Sequence, residues 1–426
     1  MLLLGISFVF LLMIGVPIAF VLGLTSLVYI LISGTISLNM VPLKMYGGID
    51  DFVLLAIPFF ILAGQLMSKS GITEDLVRFS NLLVGRLRGS LAQINIVANI
   101  IFAGCTGAAA SDAAAVGSIL IPSMEKEGYT AEYAGAVTAV ASVIGPIIPP
   151  SIVMVIYGSI TGASVAALFA GGIIPGLAIG LGLMVLAYYF AVKEGHPCRR
   201  EAFSAQQVLA TITRSSLALL VPLIILGGIL LGFFTPTEAS AVACTYALGI
   251  GIFFFRTLNW PNIKTCLVET VKTSAMVLLI IACARLFGLV LTVERIPEFL
   301  AEQLLRITSN PILILLIING LLLIMGMLME PGSNVIILAP ILAPVAAKVG
   351  IDPLHFALIM LINLNIGMVT PPVGISLFVV ASIAKKPFER IAAKAVPFIL
   401  LEIIVLLLLS YVPAVTLFLP KLLGLH

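Results

Sequence analysis

The sequence predicts an all-α polytopic membrane protein made of two repeats with opposite membrane orientation, each with a re-entrant helical hairpin and a discontinuous helix. The first support is composition: 61% of the 426 residues are hydrophobic and only 10% are charged, whereas soluble domains average about 25% charged residues. The second is the length of apolar runs such as 312–329, because ~18 residues of helix are enough to cross ~30 Å of hydrocarbon. The third is an internal repeat marked by glycine and proline. The net charge of +3 is too small to indicate a nucleic-acid partner.

Two stretches of the chain match without a gap at an offset of 222 residues, over about 47 positions. Matches of leucine with isoleucine would carry no information, because all apolar helices share them. The matching residues are instead glycine, proline, serine and Asp/Asn, and their shared register indicates a duplication. The pairs are Gly104/Gly326, Ser111/Ser333, Asp112/Asn334, Pro122/Pro344, Gly128/Gly350, Gly145/Gly367, Pro149/Pro371 and Pro150/Pro372.

The orientation of the repeats follows from the number of spans between their hairpins. Five apolar spans lie there, at 131–160, 163–192, 215–233, 236–255 and 265–293. Because five is odd, the second repeat enters the membrane from the opposite side, an arrangement that recurs in secondary transporters. If 69–89 is cytoplasmic, the same count places 125–130, 193–214, 256–264 and 384–394 on that side as well, and these five segments carry fifteen Lys and Arg. Those placed outside (34–51, 295–309, 346–352 and 420–426) carry five, as the positive-inside rule requires.

The predicted elements follow in chain order. Residues 1–51 form an N-terminal scaffold that is retained, since no signal-peptide cleavage site is recognisable, and 2–33 is either one long tilted helix or two short ones. The first repeat, 52–192, contains an arm helix (73–88), a hairpin (91–124) and a broken helix (131–160). A connecting loop and scaffold helices occupy 193–264. The second repeat, 265–426, contains an arm helix (294–307), a hairpin (311–345) and a broken helix (353–383). Each arm spaces apolar residues at helical intervals among charges, as a helix lying along the membrane surface does.

Polar residues are costly inside a membrane and therefore mark functional sites. They concentrate at Ser111-Asp112 and Ser333-Asn334, where a chain turning back in mid-membrane is expected to have its tip, and at the double prolines 149–150 and 371–372. Proline lacks the N–H of a helix and clashes with the carbonyl four residues earlier, so the helix opens there. The freed carbonyls must face a protein cavity or a ligand. Each repeat therefore offers a hairpin tip opposite a broken helix, near the bilayer midplane.

Such sites suit a hard cation, because hard cations bind carbonyl, hydroxyl, amide and carboxylate oxygens. A proton relay needs several stacked acids or histidines, and at most Asp112 and Glu330 qualify, so Na⁺ is favoured over H⁺ as the coupling ion. Half-helix N-termini beside the breaks would attract a carboxylate. The candidates for a first Na⁺ site are Thr106, Gly107, Ser111, Asp112, Gly145 and Pro149. The candidates for a second are Met329, Asn334, Gly367 and Thr370. The candidates for the substrate are Ser111, Pro150, Ser151, Ser333, Pro372 and Arg285.

Three charged residues admit a structural interpretation as well. Arg285 stands alone in an apolar helix and is either a substrate counter-ion or paired with a neighbour. Glu330 either belongs to the site or is solvated at the outer face. Glu238 is expected to be a first-turn acid of a helix that starts after Pro236.

Two other classes of protein fit this pattern less well. A channel would conduct without a binding protein, and inverted, proline-broken helices favour a gated carrier. An intramembrane enzyme needs a nucleophile–base pair, and the three histidines, His196, His355 and His426, fall near span ends. We therefore expect a transporter and no enzymatic activity.

Several motifs resemble those of the large membrane subunit of tripartite ATP-independent periplasmic (TRAP) transporters. They extend over nearly the whole chain and are IPFFILAGQLM (57–67), SDAAAVGSILIPSM (111–124), GPIIPPSI (145–152), FTPTEASAV (234–242), MEPGSNVIILAPILAPV (329–345) and NIGMVTPPVGISLFV (365–379). The resemblance implies an ion-transporter-superfamily protein of the bacterial inner membrane, whose transport domain moves as an elevator against a fixed scaffold. It also implies two partners, a small four-helix membrane (Q-type) subunit and a periplasmic substrate-binding (P-type) protein.

The chain resembles the sialic-acid group of that family most closely, so Na⁺-coupled uptake of sialic acid is the expected function. A C4-dicarboxylate substrate and H⁺ coupling are the alternatives. Related dicarboxylate carriers have Ser-Asn-Thr at both hairpin tips. Here the tips are Ser111-Asp112-Ala113 and Ser333-Asn334-Val335, so their dicarboxylate-binding roles do not transfer directly.

Overall fold

The computed structural model describes residues 2–198, 204–308 and 310–426. Within these ranges the chain forms helices and no strand, and eight of the helices are long and apolar enough to cross a membrane. The predicted fold class, an all-helical polytopic membrane protein, is therefore confirmed. Part of the connecting loop predicted at the start of 193–264, residues 199–203, lies outside the described residues.

Twenty α-helices are found in the described residues, joined by short turns. They are α1 (Leu2–Met13), α2 (Ile18–Ser33), α3 (Met40–Ile49), α4 (Ala56–Lys69), α5 (Ile72–Val84), α6 (Ser90–Thr106), α7 (Ala109–Lys126), α8 (Ala131–Ser142), α9 (Ile152–Thr161), α10 (Val165–Lys193), α11 (Ala205–Leu230), α12 (Pro236–Gly249), α13 (Trp260–Val293), α14 (Ile296–Ile307), α15 (Pro311–Leu328), α16 (Pro331–Lys348), α17 (Pro353–Gly367), α18 (Ile375–Ala384), α19 (Phe388–Tyr411) and α20 (Pro413–Leu422). A 3₁₀ turn, Phe52–Leu55, precedes α4, and a π-helical turn, Ile250–Phe254, extends α12.

The N-terminal segment 2–33 forms two short helices, which settles the alternative that the sequence left open. Helix α1 ends before Gly15, whose φ of 79° lies in the left-handed region, where glycine is tolerated without steric cost. Pro17 then precedes α2. Helix α12 begins at Pro236 as expected, and Glu238 closes a capping box with Thr235, which confirms its structural role.

Both hairpins are present, but their tips lie four residues before the predicted positions. Helix α6 ends at Thr106, Gly107 follows with a φ of 64°, and the extended Ala108 leads into α7. In the second hairpin the extended Met329 ends α15, and Glu330 caps α16. The prediction that Ser111-Asp112 and Ser333-Asn334 form the tips is thus wrong. A glycine in the left-handed conformation or an extended residue reverses the chain, and the polar pairs follow in the first turn of the returning helix.

Both broken helices are interrupted at their prolines. The first comprises α8 and α9, separated by residues 143–151, and the second comprises α17 and α18, separated by 368–374. The Pro149–Pro150 and Pro371–Pro372 peptide bonds, 222 residues apart, are both cis. Within the described residues, no backbone N–H donates to the carbonyls of 145–150, so the first break carries free peptide oxygens as predicted.

The helices pack in two groups. Helices α1–α4 and α11–α13 pack mainly on one another, and α6–α10 and α15–α20 form the second group. The arm helices α5 and α14 contact members of both groups. They span Ile72–Val84 and Ile296–Ile307, close to the predicted 73–88 and 294–307. The sequence boundaries predicted for the scaffold and the repeats stay a prediction.

A buried carboxylate ties the first arm to the scaffold. Asp75 of α5 accepts a hydrogen bond from Arg214 Nε of α11 at 3.3 Å, and its backbone carbonyl accepts one from Ser215. We expect Asp75→Asn to lower the midpoint of thermal unfolding in detergent, at a cost of about 1 kcal/mol, because a charge-assisted bond is lost while the arginine stays half-exposed. The neighbouring Glu74→Gln is the control, since this side chain is 65% exposed. Equal midpoints for the two variants would contradict the prediction.

Candidate ion and substrate sites at the hairpin tips

The first candidate ion site lies where the tip of the α6–α7 hairpin meets the break between α8 and α9. Asp112 is fully buried, and its Oδ1 accepts a hydrogen bond from the Thr106 hydroxyl. Its Oδ2 is buried and has no hydrogen-bond partner among the described residues. A Cβ built on Gly145 would overlap this Oδ2, so the free oxygen lies against the backbone of the break. The site therefore pairs an unsatisfied carboxylate oxygen with a segment of free carbonyls.

The hairpin tip itself is pressed against the double proline. A Cβ built on Gly107 would overlap the carbonyl oxygen of Pro150 and lie 3.3 Å from Ser151 Cα. One helical turn earlier, a Cβ on Gly104 would lie 3.8 Å from the Pro149 carbonyl oxygen. Only glycine allows backbone to approach this closely. The structure thus places Thr106, Gly107, Asp112, Gly145 and Pro149 in one neighbourhood, as the sequence predicted.

The second candidate ion site has the same plan with an amide in place of the acid. Asn334 is fully buried, and its Nδ2 donates to the carbonyls of Met325 and Met329, both at 3.0 Å. These bonds fix the end of α15 and leave the buried Oδ1 without a partner within the described ranges. Asp112 and Asn334 are equivalent in the repeat, and each leaves one side-chain oxygen unpartnered. Burying such an atom costs about 1–3 kcal/mol unless a ligand satisfies it.

Around Asn334 the hairpin and the broken helix again meet through glycine. A Cβ built on Gly367 would lie 2.5 Å from Gly326 Cα and 2.8 Å from its carbonyl oxygen. The hydroxyl of the buried Thr370 donates to Ile366 at 2.8 Å. Its two lone pairs therefore stay available to a cation.

A cavity of about 360 Å³ lies between the two hairpin tips. Its wall combines both tips, both breaks and the scaffold helix α13, and is mainly apolar. The residues with polar side chains that line it are Thr273, Glu330, Ser333 and Asn365. An apolar cavity with a few convergent polar groups is the usual form of a small-molecule site. Glu330 lies at this cavity, and its side chain accepts a hydrogen bond from the Ser333 N–H at 3.1 Å.

Asn365 is a polar residue of this cavity that the sequence analysis did not single out. Its Nδ2 donates to the Leu361 carbonyl at 2.7 Å, and its Oδ1 is buried without a partner among the residues described. A mid-span asparagine two residues before Gly367 is itself a signal, because amides are costly in a membrane. Asn365 therefore joins the candidates for binding at the second tip.

The family described as "Tripartite ATP-independent periplasmic transporter, DctM component" matches residues 5–415 of the chain. The chain belongs to this family. The sialic acid TRAP transporter large permease protein SiaM of Vibrio cholerae is 41% identical over 96% of this chain and 95% of that protein. The C4-dicarboxylate TRAP transporter large permease protein DctM of Pseudomonas aeruginosa is 40% identical over 95% of this chain and 94% of that protein. These relatives are transporters, which confirms the expectation that the chain is not an enzyme.

A solved structure, that of the Alcanivorax borkumensis YdaH transporter, shares the fold of this DctM-family chain. Its TM-score is 0.66 at 14% sequence identity, and the match covers 88% of this chain and 89% of that one. At this identity the likeness concerns the fold alone. It agrees with the helical membrane architecture described above.

The predicted substrate residues of this DctM-family chain are not all brought together. Ser333 lines the cavity between the tips. Ser151 is fully buried, and its hydroxyl caps α9 by accepting from the Met154 N–H at 3.3 Å. Pro150 is buried under Gly107, whereas Pro372 is exposed. Neither lines the cavity between the tips.

Two further predicted residues point elsewhere. Ser111 is exposed although its neighbour Asp112 is buried, because successive helical side chains diverge by ~100°. Its hydroxyl has no hydrogen-bond partner in the part of the chain described, and its role at either site stays a prediction. Arg285 lines a separate cavity and donates a hydrogen bond to the carbonyl of Ser159.

Proposed function

We propose that this DctM-family chain couples inward movement of Na⁺ to uptake of a carboxylate substrate across the bacterial inner membrane. The observation that carries the proposal is the pair of buried, unpartnered oxygens, Asp112 Oδ2 and Asn334 Oδ1. They occupy equivalent positions in the two hairpins, whose tips line one cavity. A cation at each of these oxygens would join that hairpin to its broken helix beside the substrate.

The residues present fit two Na⁺ sites. At the first, Asp112 would supply a carboxylate oxygen, Thr106 a hydroxyl, and Gly107, Gly145 and Pro149 backbone carbonyls. At the second, Asn334 would supply an amide oxygen, Thr370 a hydroxyl, and Met329 and Gly367 backbone carbonyls. All of these are oxygen ligands of the kind that hard cations prefer.

The alternative coupling ion is H⁺, with Asp112 as the acceptor. The amide of Asn334 cannot take up a proton in the same way, yet it reproduces the geometry of Asp112 in the other repeat. A pair of equivalent sites in which one ligand is an amide favours Na⁺ over H⁺.

The proposed substrate is sialic acid, with a C4-dicarboxylate as the alternative. The relatives named for these two acids are 41% and 40% identical to the chain, so sequence identity does not decide between the two substrates. Both are carboxylates, and the apolar cavity with the Ser333 hydroxyl and the Asn365 amide offers neutral donors to such a group. The carboxylate is thus the part of the proposal that holds for either substrate.

The proposed cycle is an elevator, in which α6–α10 and α15–α20 move against α1–α4 and α11–α13. Support comes from the way these helices pack in two groups, with the arms α5 and α14 between them. A periplasmic binding protein would deliver the substrate, and a small four-helix membrane subunit would complete the complex. Two Na⁺ with one monoanion carry one net positive charge inward, worth ~2.3 kcal/mol per 100 mV, and each tenfold Na⁺ gradient adds about 1.4 kcal/mol per ion.

The test is uptake into proteoliposomes that contain the chain, its small membrane subunit and a binding protein. We expect an inward Na⁺ gradient to drive accumulation of labelled sialic acid, and an inside-negative potential to increase it. Parallel assays with succinate decide between the two substrates. Uptake that follows a pH gradient and ignores Na⁺ would overturn the coupling ion. Currents that do not saturate and need no binding protein would indicate a channel.

A further inference from the structure

A second, larger cavity of about 590 Å³ lies beside the cavity at the hairpin tips. Its wall includes residues of the scaffold helices α3 and α13 and of the hairpin helix α16. Ile336 of α16 lines both cavities, so the two cavities are adjacent. Lys44 lies in the segment 34–51 that the positive-inside pattern places in the periplasm, and the larger cavity is therefore on the periplasmic side of the smaller one.

Among the described residues, the charged side chains that line this cavity are two cations, Lys44 and Arg285, and no acidic side chain lines it. Its other lining residues are apolar or glycine, apart from Thr292. Charges of one sign against apolar walls focus the electric field and raise the local concentration of counter-ions. The cavity is therefore built to attract an anion.

The guanidinium of Arg285 is held in place with donors to spare. One of its terminal nitrogens donates to the Ser159 carbonyl, close to the C-terminal end of α9, where helix carbonyls lack partners within the helix. Its Nε is buried and has no partner among the described residues. The aliphatic part of the side chain packs on Gly48, where a built Cβ would lie 2.8 Å from Arg285 Cβ. An oriented guanidinium with free N–H groups matches a carboxylate in bidentate geometry.

We propose that Lys44 and Arg285 form an anion-binding vestibule that receives the carboxylate of the substrate before it enters the cavity at the hairpin tips. This proposal rests on the proposed transport function. Arg285 belongs to α13 and Ser159 to α9, so the guanidinium that would receive the carboxylate also joins the scaffold to the broken helix.

The vestibule can be tested without any transport measurement, by charge-selective thiol modification of the complex. Thr292 is exposed at the cavity, and Thr292→Cys is placed in a Cys198→Ser background, because Cys198 is the exposed cysteine of the described chain. The rates of an anionic and a cationic methanethiosulfonate reagent are compared. We expect the anionic reagent to react faster than the cationic one. Lys44→Gln and Arg285→Gln are each expected to lower the ratio of the anionic to the cationic rate by roughly fivefold, which is the effect of removing a unit charge ~8 Å away in water.

Two controls make the result specific. Arg285→Lys keeps the charge and is expected to keep the ratio, and a cysteine at the exposed Thr35, which does not line the cavity, is expected to show no dependence on either substitution. If Arg285→Gln does not fold, Lys44→Gln alone still tests how charge in the cavity affects the rate ratio, because the Lys44 side chain is exposed and its replacement does not disturb the packing. A rate ratio at Thr292→Cys equal to that at Thr35→Cys, and unchanged by both neutral variants, would overturn the vestibule.

Protection and uptake separate this proposal from the transport function on which it rests. Sialic acid or succinate is expected to slow modification of Thr292→Cys, and Arg285→Gln is expected to raise the half-saturating substrate concentration about tenfold or more while Na⁺ dependence persists. If uptake is driven by Na⁺ but Thr292→Cys reacts equally with the anionic and the cationic reagent, the vestibule is refuted and the transport function is not. A charge preference without Na⁺-driven uptake supports the anion site and refutes the coupling.

Discussion

Asp112→Asn is expected to lower the apparent affinity for Na⁺ in uptake by about a hundredfold or more. The substitution preserves the size of the side chain and removes its charge. A unit charge ~4 Å from a cation is worth about 4 kcal/mol at the effective dielectric constant near a protein, and each 1.4 kcal/mol changes an affinity tenfold. The measurement is the Na⁺ dependence of initial uptake rates in proteoliposomes that contain the complete complex.

The control for Asp112→Asn is Ser118→Ala on the same helix, α7. Ser118 is exposed and bonds only to the backbone of its own helix, at 2.9 Å, so its loss is expected to leave the Na⁺ dependence unchanged. The midpoint of thermal unfolding in the absence of Na⁺ distinguishes loss of the ion from loss of the fold. Wild-type Na⁺ dependence in Asp112→Asn would remove the first ion site.

The features that could be predicted from the sequence are those set by the backbone chemistry of single residues. The double prolines at 149–150 and 371–372 each remove two adjacent N–H donors from a helix, so the sequence locates both breaks within a few residues. Single prolines such as Pro175 and Pro222 stay inside helices. The offset of 222 between the two breaks then identified two equivalent units. Glu238 and Thr235 form their capping box through local spacing alone, and this too was accessible.

What could not be predicted depends on groups that are distant in the sequence. The hairpin tips were placed at the polar pairs, whereas Gly107 and Met329 reverse the chain, and only three-dimensional packing decides which residue before a polar pair ends the helix. The second cavity joins Lys44, Arg285 and Ile336 from three separate segments. No spacing rule brings such residues together.

Gly367→Ala is expected to be the most disruptive change at the second ion site. A Cβ there would lie 2.5 Å from Gly326 Cα and 2.8 Å from its carbonyl oxygen, and backbone atoms cannot swing aside as a flexible side chain does. Overpacking costs about 1–3 kcal/mol in ordinary cores, and we expect the upper end here because α15 must separate from α17. The separation would also displace Asn334, which is bonded to the end of α15.

Thermal unfolding and Na⁺-dependent uptake test this expectation together. The midpoint of thermal unfolding is expected to fall in Gly367→Ala. The dependence of the uptake rate on Na⁺ concentration is expected to lose any cooperativity, because only the first ion site stays intact. Gly326→Ala is expected to act in the same direction but less strongly, since its built Cβ lies 3.0 Å from the nearest atom. Gly320→Ala in the same helix meets nothing within 4 Å and is expected to stabilise the helix by up to about 1 kcal/mol. The contacts that a Cβ would make at each glycine therefore predict that the midpoint is highest in Gly320→Ala, lower in Gly326→Ala and lowest in Gly367→Ala. A Gly367→Ala protein as stable as Gly320→Ala would show that the second hairpin does not pack closely on the break in the second broken helix.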